Sequence, residues 1–321
     1  MDAAYAIDGP ALISFSGGRT SAYMLKMMLD AAGGSFSPNI HVVFANTGKE
    51  REETLRFVHE CQVRWGVPIH WVEFRSRKTS LPIEERFEEV GYNSASRNGE
   101  PFAELIRDKG FTPNATMRWC TAELKVRVMK WFMQARGYKR WTNVVGLRHD
   151  EKHRVTKSRK PNKECWTNAL PLDDAKVSNR DVRAFWRDQD FDLQLLPFEG
   201  NCDGCFLKAR PKLWEVERTK PGTLQWWADQ EAMLDAMCSA RFGPFRKPIY
   251  RVDDDEDGEE VRVFDHWEIA WAKAGNQFVT EYSYAELIQD VRRQPDMFAG
   301  GLFDNDPDMD AECGLWCGEA A

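Results

Sequence analysis

The chain has 321 residues, 42% hydrophobic and 30% charged, an ordinary globular composition that allows one large domain or a main domain with an appendage. A net charge of −7 excludes a general nucleic-acid binder held by bulk electrostatics, while a local basic face stays open. No apolar run is long enough to span a bilayer, and Asp2 and Asp8 stand where a secretory leader carries basic residues, so no membrane role is expected and the cytoplasm is the default compartment.

Residues 11–15 form an apolar run that predicts a strand, and residues 21–32 predict a helix with Ala22, Leu25, Met28, Leu29 and Ala32 on one face. Between them lies Ser16-Gly17-Gly18-Arg19-Thr20-Ser21. A strand that ends in a Ser/Gly turn and opens a helix gathers backbone N–H groups and the positive end of the helix dipole in one place, which makes an anion cradle. Taken alone, the Gly-Gly turn is equally a plain connection. Further strands are predicted at 41–45 and Ile69–Phe74, with a helix at 51–65 between them. Residues 76–116 are polar and Gly/Pro-punctuated around one short predicted helix at 82–90, the pattern of an insertion or a mobile lid near the site.

A helix at 123–135 precedes the fourth predicted strand, 142–146. Another helix, at 179–188, leads to the apolar run 193–197, and helices at 211–218 and 222–238 follow. Runs at 249–252 and 261–264 flank the acidic stretch 253–260 and predict a hairpin with a solvated tip. Tyr284–Arg293 predicts a last helix before a Gly/Asp-rich tail. Alternating strands and helices predict an α/β, Rossmann-like, doubly wound and mostly parallel sheet, with its ligand site at the strand C-terminal ends. The expected division is a nucleotide-binding domain at 1–245, with a lid at 76–116, and a hairpin, helix and cysteine-bearing tail at 246–321.

Eight cysteines in a cytosolic chain are not expected to form structural disulfides. Cys61 and Cys238 sit on helical patterns and read as small buried hydrophobes. Cys202-x-x-Cys205 has the spacing of a two-ligand metal clip.

Taken together, the motifs resemble the phosphoadenosine phosphosulfate (PAPS) reductase family of the adenine-nucleotide alpha-hydrolase, or PP-loop, superfamily. The residues that carry the resemblance are the 16–21 turn, Asn46-Thr47-Gly48-Lys49-Glu50, Arg118-Trp119-Cys120-Thr121-Ala122-Glu123-Leu124-Lys125, Gly146-Leu147-Arg148-His149-Asp150-Glu151 with Arg154, the Cys202–Cys205 pair, and the tail Glu312-Cys313-Gly314-Leu315. Three departures stand out. Thr20 replaces the Asp usual in ATP-splitting members, Trp316-Cys317 follows the tail motif where the reductases have His, and Trp119-Cys120 stands where iron–sulfur members carry a Cys-Cys pair.

The resemblance implies a reductase that attacks an adenylyl sulfonucleotide, PAPS or its 3′-dephospho form APS, with a cysteine thiolate. Cys313 would be the nucleophile. Ser16, Gly17, Gly18, Arg19, Thr20, Ser21, Asn46, Thr47, Gly48, Arg118, Lys125, Arg148 and Arg154 would hold the nucleotide and its phosphosulfate. Thioredoxin, glutaredoxin or Cys317 would supply the second thiol. Cys120, Cys202 and Cys205, with Cys165 as a fourth ligand, would hold a [4Fe-4S] cluster, with structural zinc as the alternative. A second implied activity is a sulfurtransferase that adenylates a tRNA or DNA with ATP and Mg²⁺ and then inserts sulfur. A nucleotide sensor without catalysis is the third, and a homo-oligomer is left open.

Overall fold

The structure is a computed structural model that describes residues 3–242, 246–254, 260–269 and 276–294. Its centre is a six-stranded sheet built from β1 (Ala11–Ser14), β2 (Ile40–Asn46), β3 (Ile69–Phe74), β4 (Phe87–Val90), β5 (Trp141–Val145) and β6 (Trp166–Ala169). The order is β4-β3-β2-β1-β5-β6, and only β4 runs antiparallel to its neighbour. All four residues of β1 are buried, as expected of a central parallel strand covered on both faces. Alternation splits them between two cores. Leu12 joins Val43, Val72 and Phe74 on one face, and Ile13 joins Val42 and Phe44 on the other.

Crossover helices supply the covers. Helices α1 (Arg19–Ala31) and α2 (Glu52–Trp65) bury Met24, Leu25, Leu55 and Val58 against the second face. The first face is covered by α3 (Glu100–Lys109), by a π-helical segment (Cys120–Val126) and by its α-helical continuation α4 (Arg127–Ala135). The remaining helices are α5 (Lys152–Ser158), α6 (Pro171–Asp174), α7 (Asn179–Arg187), α8 (Arg210–Thr219), α9 (Gln225–Phe242) and, after the hairpin, α10 (Tyr284–Arg293). Helix α10 starts on a Ser283/Glu286 capping box, satisfying two N–H groups at its start reciprocally.

Helix α10 also bears on the candidate site. Tyr284 is fully buried and donates its hydroxyl to the Gly204 carbonyl at 2.6 Å. Glu231 on α9 accepts from the backbone N–H groups of Phe278 and Tyr284 at 3.1 and 2.8 Å, tying the α10 entry to α9.

The sequence expectations hold for the first three strands and for most helices, within a residue or two at the ends. One expectation fails. Residues 82–90 are not a helix: a 3-10 turn (Ile83–Glu85) leads into β4, where Phe87 points into the core and Glu88 and Glu89 are exposed. Pairing with β3 along four residues outweighs the helix preference of the glutamates. β6, only four residues long and not among the predicted strands, takes the edge beside β5. The hairpin forms from β7 (Arg246–Asp254) and β8 (Glu260–Ile269), longer than predicted and bulged between Ile249 and Tyr250. Among the described residues, no helix is long and apolar enough to cross a membrane.

Candidate functional site

Because β1, β2, β3 and β5 are parallel, the turns that follow them all emerge at one sheet edge. The 16–21 turn is the first of these. Gly17 has φ +77°, and a Cβ there would lie 2.8 Å from Thr54 Cγ2, so only glycine closes the turn. The Ser16 and Ser21 hydroxyls lie 2.8 Å apart, and Ser21 Oγ accepts from the Ser16 N–H at 3.2 Å and donates to the Gly18 carbonyl at 3.0 Å. Helix α1 then begins with no side-chain cap on its N-terminal N–H groups and no acidic residue in its first turn. An anion is the natural partner of such an end.

The turn after β5 brings Arg148 to the cradle, and Arg154 shares Glu151 with it. Arg148 donates to the Thr20 hydroxyl at 3.0 Å and pairs with Asp150 at 3.1 Å. Arg154, on α5, contacts Glu151 through Nη1, and its Nε and Nη2 are buried with no hydrogen-bond partner among the described residues. A buried guanidinium edge without acceptors carries a desolvation cost that an anionic ligand removes. Arg19 is placed differently: it forms a bidentate pair with Asp192 at 2.7 and 2.6 Å, and Trp186 holds its carbonyl at 2.9 Å. Arg148 is therefore the cation in contact with the cradle, with Arg154 linked to it through Glu151.

The turn after β2 has the opposite character. Asn46 donates to Glu73 at 2.6 Å and to the Ser96 carbonyl at 2.8 Å, while its oxygen accepts from the Gly48 N–H at 3.1 Å. Glu50, fully buried, receives Lys125 Nζ at 3.0 Å, the Thr47 hydroxyl at 3.2 Å and the Cys202 thiol at 3.5 Å. Lys49 pairs with Asp203 at 2.7 Å and Arg51 with Glu199 at 2.7 Å. Burial pushes the Asp203 carboxyl up, against the pull of Lys49. Residues 199–205 are thus locked to this turn, and Asn201 donates to the Ser16 carbonyl at 3.0 Å, fastening the same loop to the cradle.

Sequence reasoning missed Glu50, Glu73, Asp192, Asn201 and Asp203. The Lys49-Glu50-Arg51 triplet directly after a buried strand was the available signal, since charges at such a place need buried counter-charges. Arg118 lies on the loop before the π-helical segment, its carbonyl accepting from the Thr121 N–H at 3.1 Å.

Cys120 opens the π-helical segment that carries Lys125, and Cys202 meets the carboxylate that Lys125 meets. Cys205 is in the same loop as Cys202. Even so, among the described residues no three His, Cys, Asp or Glu side chains converge as a metal site. The expected fourth ligand is a correction. Cys165 directly precedes β6, at the opposite edge of the sheet, where it lines a cavity of about 230 Å³ with Asp8, Arg140 and Trp141. Strand length and direction put it out of reach of Cys202, so the four expected cysteines do not fit one cage. Cys61 is fully buried, and burial pushes its thiol pKa up, as a small core residue requires. The nucleophile candidate Cys313, with Cys317, lies outside the described residues.

The chain is 31% identical over 214 residues to the uncharacterized nin region protein ORF290 of Escherichia phage lambda, covering 63% of this chain and 67% of that one. It is 30% identical over 154 residues to the uncharacterized protein MJ0066 of Methanocaldococcus jannaschii, covering 48% of this chain but only 26% of that one. Among solved structures, the U34-tRNA thiolase NcsA from Methanococcus maripaludis with its [4Fe-4S] cluster overlaps 72% of this chain and 74% of its own at 12% identity and a TM-score of 0.37, too loose a likeness to carry an argument. The sequence profile of the phosphoadenosine phosphosulfate reductase domain matches residues 10–208, from the start of β1 to just past the Cys202–Cys205 loop. The chain belongs to the phosphoadenosine phosphosulfate reductase domain family.

Proposed function

We propose that the protein is an adenine-nucleotide enzyme that reduces an adenylyl sulfonucleotide to sulfite and an adenosine phosphate. The observation that carries this is an uncapped, glycine-closed cradle contacted by Arg148, together with Arg154, joined to Arg148 through Glu151, whose Nε and Nη2 are buried without an acceptor among the described residues. Phosphate and sulfate oxygens match that guanidinium edge in geometry and charge. Thr20 supports the same reading. A neutral hydroxyl beside Arg148 leaves more positive charge for a ligand than an Asp at that place would.

The Ser16 and Ser21 hydroxyls, the first N–H groups of α1 and Arg154 would hold the phosphosulfate. Cys313 thiolate would attack the sulfur, forming an S–S bond as the bond from sulfur to the bridging oxygen breaks and the adenosine phosphate leaves. A second thiolate, from thioredoxin, glutaredoxin or Cys317, would then attack Cys313 Sγ, expelling sulfite and leaving a disulfide. The two thiols supply both electrons.

One observation favours a second reading, ATP- and Mg²⁺-dependent transfer of sulfur to a tRNA or DNA: the Cys202 loop is hydrogen-bonded into the nucleotide edge through Glu50 and Asn201. An anaerobic turnover assay with PAPS, APS and ATP in parallel, thioredoxin present, separates the two. Sulfite from a sulfonucleotide, lost in Cys313→Ser with nucleotide binding kept, is the expected result. Inert sulfonucleotides and ATP cleaved to pyrophosphate would overturn it in favour of sulfur transfer.

A further inference from the structure

The 201–205 loop brings two thiols to the nucleotide edge. Its first half is paired with the turn after β2: the Arg51 N–H donates to the Asn201 carbonyl at 2.7 Å, and the Asp203 N–H donates to the Lys49 carbonyl at 3.0 Å. Glu50 and Cys202 are the antiparallel pair between those two bonds, where side chains lie closest and share a face. That register puts the Cys202 thiol 3.5 Å from Glu50 Oε2.

Asp203 and Gly204 then turn the chain, so that Cys202 and Cys205 are the two ends of a four-residue turn. Such ends lie within about 7 Å of each other at Cα. A disulfide spans about 4.4–6.8 Å. The turn is held from two helices. Trp227 Nε1 on α9 donates to Asp203 Oδ1 at 2.8 Å, and the Tyr284 hydroxyl on α10 donates to the Gly204 carbonyl at 2.6 Å. A Cβ on residue 204 would lie 2.3 Å from Trp227 Nε1, so glycine is what lets α9 pack this close. Cys202 is buried and Cys205 half-buried, and neither forms a disulfide in this structure.

Two thiols at this spacing serve either as metal ligands or as a redox dithiol. A closed metal site takes about four donors. Among the described residues no third His, Cys, Asp or Glu joins the pair to complete one, and Cys165 is at the far edge of the sheet. A dithiol needs no third donor. It needs two sulfurs within disulfide reach and a base beside one of them, and the turn and Glu50 provide both.

We infer that Cys202 and Cys205 are a redox dithiol that supplies the second thiol and both electrons for sulfite release. That role rests on the reductase reading; the couple itself does not. Cys202 gives its proton to Glu50 Oε2 and attacks Cys313 Sγ of the S-sulfocysteine, and an S–S bond forms as sulfite leaves. Cys205, its proton lost to solvent, attacks Cys202 Sγ. The Cys202–Cys205 disulfide forms and Cys313 departs as thiolate. An external dithiol of the thioredoxin class then reduces the pair.

The first arm of the test needs no substrate. Reduced protein prepared anaerobically is equilibrated with glutathione and dithiothreitol redox mixtures, alkylated and mapped by peptide mass spectrometry. A Cys202–Cys205 disulfide that forms and disappears as one two-electron step is the expected result. A pair that stays reduced throughout would overturn the proposal. So would iron with acid-labile sulfide, or zinc, that copurifies with the wild type and is lost in Cys202→Ser.

The second arm is a single turnover of PAPS or APS by pre-reduced protein freed of external thiol. The wild type should release about one sulfite per chain, the yield of one dithiol. Cys202→Ser, which keeps a donor for Glu50, should lower that release about tenfold or more. Cys205→Ser should release sulfite and trap a Cys202–Cys313 disulfide. Release that survives Cys202→Ser would assign the second thiol to Cys317, overturning the role of the pair and leaving the reductase reading in place. Sulfite from no variant, with or without external thiol, would overturn the reductase reading, and the first arm alone would then decide the couple.

Discussion

Two turns leave the same edge of the sheet and treat charge in opposite ways. After β2, the described cations Lys49 and Arg51 and the carboxylate Glu50 each meet a buried partner, and the result is a brace that fixes the Cys202 loop. After β1 and β5, the helix start is uncapped and Arg154 has two buried donors without acceptors among the described residues. A family motif alone treats all these residues as ligand contacts. The difference is one of degree: among the described residues Arg51 keeps one buried nitrogen without an acceptor, Nε, and Arg154 keeps two, Nε and Nη2.

The sharpest way to break this comparison is to remove a brace residue. Glu50→Ala would remove the buried carboxylate that Lys125, the Thr47 hydroxyl and the Cys202 thiol all meet and should destabilise the protein by about 3–5 kcal/mol, measured by urea unfolding. A loss below about 1 kcal/mol would mean that the brace is not structural. Glu231 offers a contrast, being a buried carboxylate held by backbone N–H groups. Burial raises its pKa to about 7 from 4.5. A carboxyl raised in the folded state binds its proton more tightly there than when unfolded. Its stabilising effect is therefore full below about pH 4.5 and falls as pH rises through about 7, by up to about 3 kcal/mol. Glu231→Gln should flatten that part of a stability-against-pH curve, and an unchanged slope would remove the assignment.

On the cradle side, Gly17→Ala places a side chain at φ +77° and against Thr54, and should cost about 1–3 kcal/mol while weakening nucleotide binding. Retained affinity in a folded variant would show that the turn does not shape the site. The smallest effect is expected at the far edge. Cys165→Ser should leave turnover unchanged and stability within about 0.5 kcal/mol. A loss of activity there would contradict its placement away from the site.

The sheet was legible because buried parallel strands such as β2 are continuous apolar runs, and the cradle reading came from the ordered set of motifs, since a Gly-Gly turn between strand and helix is alone equally a plain connection. β4 and β6 escaped because four-residue edge strands such as Phe87–Val90 and Trp166–Ala169 carry too little periodicity, and glutamates at 88 and 89 favour helix locally. The partners of the charged residues escaped for a different reason. Glu73, Asp192, Asn201 and Asp203 lie far along the chain from the groups they satisfy, and spacing carries no information about contacts across the sheet. The same limit applies to Cys165, whose residue type fits a metal ligand and whose strand position does not.

Arg154, with two buried nitrogens that lack an acceptor among the described residues, is completed by an anion, whereas Lys49 and Lys125 already hold carboxylate partners. Isothermal titration of adenosine 5′-phosphate into wild-type and Arg154→Gln protein, with melting temperatures measured on the same samples, tests it directly. The predicted result is a loss of affinity of about 10- to 100-fold with the melting temperature lowered only slightly, since a charge-assisted contact to phosphate is removed and the Glu151 ion pair lost with it is partly exposed. Equal affinity in the two proteins would contradict the claim.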